Sequence, residues 1–110
     1  MSALSPSQDS SGKITVQIDA TLEDLIPNFL ANRERDVTTL RDALSQENFQ
    51  AIHLLGHRLK GDGGGYGFEG ISQIGGVIEA AALRRDADSI AQQTTALADY
   101  LARLDITFVA

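Results

Sequence analysis

The stretch His53–Gly67, traced back to Phe49, constrains the fold more than any other part of the chain. At about 100° per residue, Phe49, Ile52, Leu55, Leu59, Gly63 and Tyr66 fall on one side of a helix. His57 points roughly opposite Leu59. Around it, at helical spacings, lie His53, Leu54, Lys60, Gly61 and Gly64. The face turned from the core thus carries a titratable imidazole, a cation one turn later, and glycines where side chains would be expected. Each glycine costs about 1 kcal/mol relative to Ala inside a helix. Helix physics alone would not choose them, so access to His57, or to the backbone beyond it, is the reason to expect.

The rest of the chain reads as further helices with short polar connections. Asp19 or Thr21 is placed to cap a first helix. Pro27 sits too deep for an ideal first position, which predicts a distorted or separate early turn. Ile26, Phe29, Leu30, Val37, Leu40 and Leu44 form an apolar stripe, interrupted by Asn32–Asp36, which reads as a solvated face. Ser45–Asn48 is a polar connection. The second helix begins near Asn48 and fades between Gly63 and Gly67. A third starts near Glu69, buries Ile71, Ile74, Ile78, Ala81 and Ala82, and ends around Arg84–Arg85, with cations in its last turn as the helix dipole favours. Gly75 and Gly76 would let it approach a neighbour closely. Asp86 or Asp88 can cap a fourth helix with the stripe Ile90, Thr94, Leu97, Leu101 and Leu104. The expected fold is all-α, an antiparallel up-down four-helix bundle.

Both ends carry β-branched extensions. Ile14–Ile18 alternates with period two, and Ile106–Val109 has similar character. In an up-down bundle the first segment runs toward the end that the last segment leaves, so an antiparallel strand pair is expected. Met1–Lys13, rich in Ser, shows no apolar period and is expected to be a disordered tail, leaving residues 14–110 as one domain.

Composition narrows the classes of function. The 110 residues include no cysteine, which excludes disulfides and thiolate chemistry and fits a cytoplasmic setting. A net charge of −6 argues against nucleic acid as the main partner. No apolar run is long enough for a bilayer, and no secretory signal is expected at the N-terminus.

The string His57-Arg58-Leu59-Lys60-Gly61, then Gly67, then Ile71, Ile74, Ile78 and Glu79 in the next helix, resembles the histidine-containing phosphotransfer (HPt) domain. The pattern of that family is His-x-Leu-Lys-Gly, small residues, Gly, and a Leu-rich helix. The likeness runs from about Thr21 to Leu104. Gly56 departs from the Ala common before the histidine, and the small-residue run is unusually rich in glycine. The resemblance implies that His57 takes a phosphoryl group from an aspartyl phosphate on one receiver domain and passes it to another. The chain would then be a carrier with no kinase or ATP-binding segment, and no cofactor of its own. Mg²⁺ would belong to the partner receiver. The implied partners are response-regulator receiver domains and a hybrid sensor histidine kinase.

Each residue also has a plainer reading. From the wheel alone, His57 is an ordinary surface histidine; the motif turns that reading around. Lys60 would support the phosphoryl oxygens electrostatically, or merely solubilise. Gly61 would leave room for the transferring group, or form a flexible cap. His53, Leu54, Arg58 and Gly64 would rim a docking surface, though a scattered exposed leucine is normal. His53 and His57, four apart, have metal-ligand spacing, but no third ligand is implied and no metal is expected. Two other functions stay open: a non-catalytic helical interaction module whose His57 is never phosphorylated, and a metal-dependent helical protein using His53 and His57.

Overall fold

A computed structural model describes residues 12–110. The expected tail lies, up to residue 11, outside the described residues. In chain order the elements are strand β1 (Ile14–Asp19), a 3-10 turn (Ala20–Leu25), helices α1 (Ile26–Ser45), α2 (Phe49–Tyr66), α3 (Glu69–Leu83) and α4 (Ala87–Ala102), and strand β2 (Leu104–Val109).

Local chemistry sets these boundaries. The Asn48 side chain accepts from the Ala51 N–H and opens α2; Asp86 does the same for α4 through Ser89. Asp19 accepts from the Thr21 N–H and hydroxyl, but the element it caps is the 3-10 turn. Pro27 therefore falls in the first turn of α1, where its missing N–H costs nothing. α2 runs through its glycines to Tyr66 and stops at Gly67, whose φ of 92° is open to glycine at little cost. α3 ends at Leu83, so Arg84 and Arg85 lie just beyond the last turn in which they were expected. Leu104, read as the end of the fourth stripe, begins β2 instead.

The core joins all four helices. Leu40, Ile52, Leu59, Ile71, Ile78, Ile90 and Leu97 are almost wholly buried. Phe68, in the short α2–α3 connection, is fully buried and stacks on Phe29, which in turn stacks on Tyr66. Buried Thr94 satisfies its hydroxyl on the Ile90 carbonyl. Among the described residues, no helix is long and apolar enough to cross a membrane.

Two further expectations are corrected. The strands pair in parallel, with Ile14 opposite Leu104 and Asp19 opposite Val109. The antiparallel expectation tied each strand's direction to that of its adjoining helix. The six-residue 3-10 turn breaks that link. β1 starts beside the end of α4, where the Ile14 N–H donates to the Arg103 carbonyl, and runs alongside β2 before the turn returns the chain to α1.

The second correction concerns Asn32–Asp36, which is not simply a solvated face: Arg33 and Asp36 are buried. They continue the helical period of Phe29, Val37 and Leu40, so the core stripe passes straight through them. Burying charge is costly unless it is paired, and Arg33 is paired twice, with Asp36 at 2.7 Å and with Asp62 of α2 at 3.5 Å. Its guanidinium also lies over the Phe29 ring.

α2 and α3 lie unusually close. A Cβ on Gly75 would stand 2.5 Å from the Lys60 nitrogen, one on Gly56 2.7 Å from the Glu79 nitrogen, and one on Gly63 2.5 Å from the Ser72 nitrogen. No side chain fits at these three positions, so backbone packs on backbone. This contact positions the site.

Candidate functional site

His57 projects from α2 on the side opposite buried Leu59, and its side chain is 67% exposed. Because α3 lies so near, Glu79 reaches across: the His57 ring Nδ1 is 2.8 Å from Glu79 Oε2. The other carboxylate oxygen, Oε1, is 3.1 Å from the ammonium of Lys60. One carboxylate thus spans two residues that sit a helical turn apart on the neighbouring helix.

The electrostatics decide where the imidazole proton lies. The hydrogen bond to His57, and then the one to Lys60, hold the Glu79 carboxyl below its ordinary pKa. At neutral pH Glu79 is ionised and can only accept. The hydrogen in the contact is therefore on Nδ1 of His57. In the neutral ring, Nε2 then carries the lone pair. The arrangement yields an oriented, largely exposed nitrogen nucleophile backed by a carboxylate.

The surface around it is open. A Cβ added to Gly61 or Gly65 would meet nothing within 4 Å, and one on Gly64 only the Ser72 hydroxyl at 3.7 Å. Leu54 is 62% exposed. Together with Arg58, Ala43, Ala51, Leu55 and Thr39 it lines a groove of about 470 Å³ between α1 and α2, with His57 on its edge. Arg58 is exposed. His53 is half-buried, its Nδ1 3.3 Å from the Glu79 carbonyl oxygen, so it leans on α3 and not on the groove. Among the described residues, no group of three or more His, Cys, Asp or Glu is arranged to hold a metal ion.

The structure therefore brings together His57, Lys60, Gly61 and Gly64 on one open face, with Leu54 and Arg58 beside it. The residue that sequence reasoning left without a role is Glu79, quoted only as part of a motif. A signal existed: Ser72, Gly76 and Glu79 are spaced i, i+4, i+7, two small residues leading to an acid on one face of α3. Gly56, read as a departure from a pattern, is one of the points where α2 and α3 pack backbone on backbone.

Comparison with curated proteins finds no match, and comparison with solved structures finds none either. A family model does match: the Hpt domain, over residues 24–107. That segment includes all four helices and the whole His57–Glu79–Lys60 arrangement. The chain belongs to the Hpt domain family, the phosphotransfer modules of two-component signalling, which carry phosphoryl groups and are not kinases.

Proposed function

We propose that His57 is the phosphoryl-carrying residue, relaying the group between aspartyl phosphates of receiver domains. The observation that carries this reading is the 2.8 Å contact from Nδ1 to Glu79 on a ring that is otherwise largely exposed.

In the forward step the Nε2 lone pair attacks phosphorus. The N–P bond forms as the bond from phosphorus to the aspartyl oxygen breaks, and the electron pair leaves with the receiver's carboxylate. The ring, still holding its proton on Nδ1, becomes positively charged. Glu79 accepts that hydrogen bond throughout and opposes the new charge with its own. Lys60 lies within a helical turn and supplies a cation for the phosphoryl oxygens. Gly61 and Gly64 leave clear the space through which the group must pass. The receiver's own Mg²⁺ would neutralise charge on the transferring group. The reverse step returns the group to a second receiver, so the chain needs no nucleotide and acts as a carrier within residues 14–110.

The docking surface is read as Leu54, Arg58 and Gly64, with His53 at its rim. The groove beside His57 supports the Leu54 and Arg58 part of this reading, since an apolar floor with a charged edge suits a partner helix; His53 and Gly64 lie outside the groove. The implied partners are response-regulator receivers and a hybrid sensor histidine kinase, in the cytoplasm. The up-down course of the helices is supported by the opposed registers of α2 and α3, in which Gly56 faces Glu79 and Gly63 faces Ser72.

The test is phosphate uptake from a phosphorylated receiver, comparing the protein with its His57→Gln variant at neutral or alkaline pH, where phosphohistidine survives. Uptake by the parent and none by the variant is expected. No uptake from a panel of receivers, with both proteins folded, would leave a non-catalytic interaction module as the better reading.

A further inference from the structure

Gly75 and Gly76 are adjacent in α3, but they are not used in the same way. Gly75 is explained by backbone packing, since a Cβ there would strike the Lys60 nitrogen and the Gly56 carbonyl. Gly76 faces no backbone: a Cβ there would meet only Lys60 Cδ, at 3.4 Å. Lys60 is also tied to α3 one turn earlier, where the Ser72 hydroxyl donates to its carbonyl at 2.9 Å. One turn later its ammonium reaches Glu79. The lysine therefore lies along α3, anchored at Ser72, crossing Gly76 and ending at Glu79.

We propose that Gly76 is a positioning residue for phosphoryl transfer, the bare stretch of α3 on which the Lys60 stem lies so that its ammonium is held beside His57. This rests on the reading of His57 as the carrier. A glycine inside a helix is unfavourable relative to alanine or leucine, and nothing but the lysine stem uses the space it leaves. A long side chain at position 76 would lift the stem off α3. The ammonium would then leave Glu79 and lose its fixed distance from the phosphoryl group. A single methyl would be tolerated, because a flexible lysine chain can give by a few tenths of an ångström.

The test uses Gly76→Leu, Gly76→Ala, Lys60→Ala and the double variant Gly76→Leu/Lys60→Ala, all in the full chain. Leucine is a better helix former than glycine, so the fold should persist, as a thermal melt would verify. Transfer from a phosphorylated receiver should fall about tenfold in Gly76→Leu and in Lys60→Ala, as expected for losing one charged contact. It should stay within about twofold of the parent in Gly76→Ala. The double variant should be no slower than Lys60→Ala alone. Independently of transfer, ¹³C relaxation of the Lys60 methylenes should show an ordered stem in the parent and Gly76→Ala, and a mobile one in Gly76→Leu. Multiplying losses in the double variant would mean that leucine clashes with the partner directly, and would overturn the proposal. So would an ordered Lys60 stem in Gly76→Leu. If the parent itself takes up no phosphate, the carrier reading fails, while the relaxation result still decides whether Gly76 holds Lys60.

Discussion

Glu79 serves two residues with one carboxylate, and removing it should affect each differently. Without an acceptor opposite Nδ1, His57 is free to place its proton on either nitrogen. In Glu79→Ala, ¹⁵N spectra of the ring should show mixed tautomers where the parent shows the Nδ1–H form alone. Transfer should slow by about tenfold, because part of the population presents a protonated Nε2 and the charge on the phosphorylated ring is unopposed. A single tautomer in the variant would mean that another group orients the ring. The same carboxylate carries a pH dependence. Its folded-state pKa lies below the ordinary 4.5, so its stabilising contribution is present above that value and is lost as pH falls through the folded-state value. Asp19 behaves alike from 3.8 downward, its carboxylate held low first by the Thr21 N–H and then by the Thr21 hydroxyl. The drop in urea midpoint between pH 7 and pH 3 should therefore be smaller in Glu79→Gln than in the parent.

At the scale of the helix, equal substitutions of glycine should have opposite effects along α2 and α3. At Gly75 the added methyl meets backbone atoms at 2.5 and 2.8 Å, and the helices must separate. Gly75→Ala should lose about 1–3 kcal/mol to overpacking, and should weaken the reach of Glu79 to His57. At Gly61 the methyl meets open space, so Gly61→Ala should gain up to about 1 kcal/mol, a rise in Tm of roughly 4–8 °C. A bulky Gly61→Leu should keep that stability yet block transfer, separating the cost of a glycine from its use; full activity would remove Gly61 from the path of the phosphoryl group. The sequence made the helices legible because their signals are local: Asn48 and Asp86 cap where they stand, and Leu55 and Leu59 repeat at helical spacing. It also brought His57 to notice. Which glycines are packed and which are bare was only partly legible. That depends on which face of α3 crosses α2, which periodicity within either helix does not specify. Arg33 and Asp36 were misread for a related reason. Their polarity marks them as surface residues; in the core stripe they pair with each other, and Asp62 and the Phe29 ring beside Arg33 further offset the cost of burying its charge.

For the whole molecule, the parallel strand pair closes one end of the bundle, and its direction depended on contacts between the two chain ends that no local pattern records. Ile18 is its most deeply buried link to the core, beside partly buried Val16, Leu104, Ile106 and Phe108. It is 1% exposed, and its Cδ1 lies 3.3 Å from where a Cβ on Gly67 would stand, at the foot of α2. His57 is ten residues back along that helix, about 15 Å at 1.5 Å per residue. Stability and transfer should therefore separate. Ile18→Ala removes a buried side chain and should cost about 2–4 kcal/mol, read as a lower urea midpoint. Leu59→Ala, also 1% exposed in the parent, should cost a similar amount. It lies two residues from His57, on the opposite side of α2. Collapse of the helix into that cavity should shift the ring relative to Glu79. Compared at a temperature where both variants are folded, Ile18→Ala should transfer phosphate at the parent rate, and Leu59→Ala should be slower. If Ile18→Ala were slowed as much as Leu59→Ala, the sheet would be coupled to His57 through the length of α2, and the site could not be treated as the local product of α2 and α3.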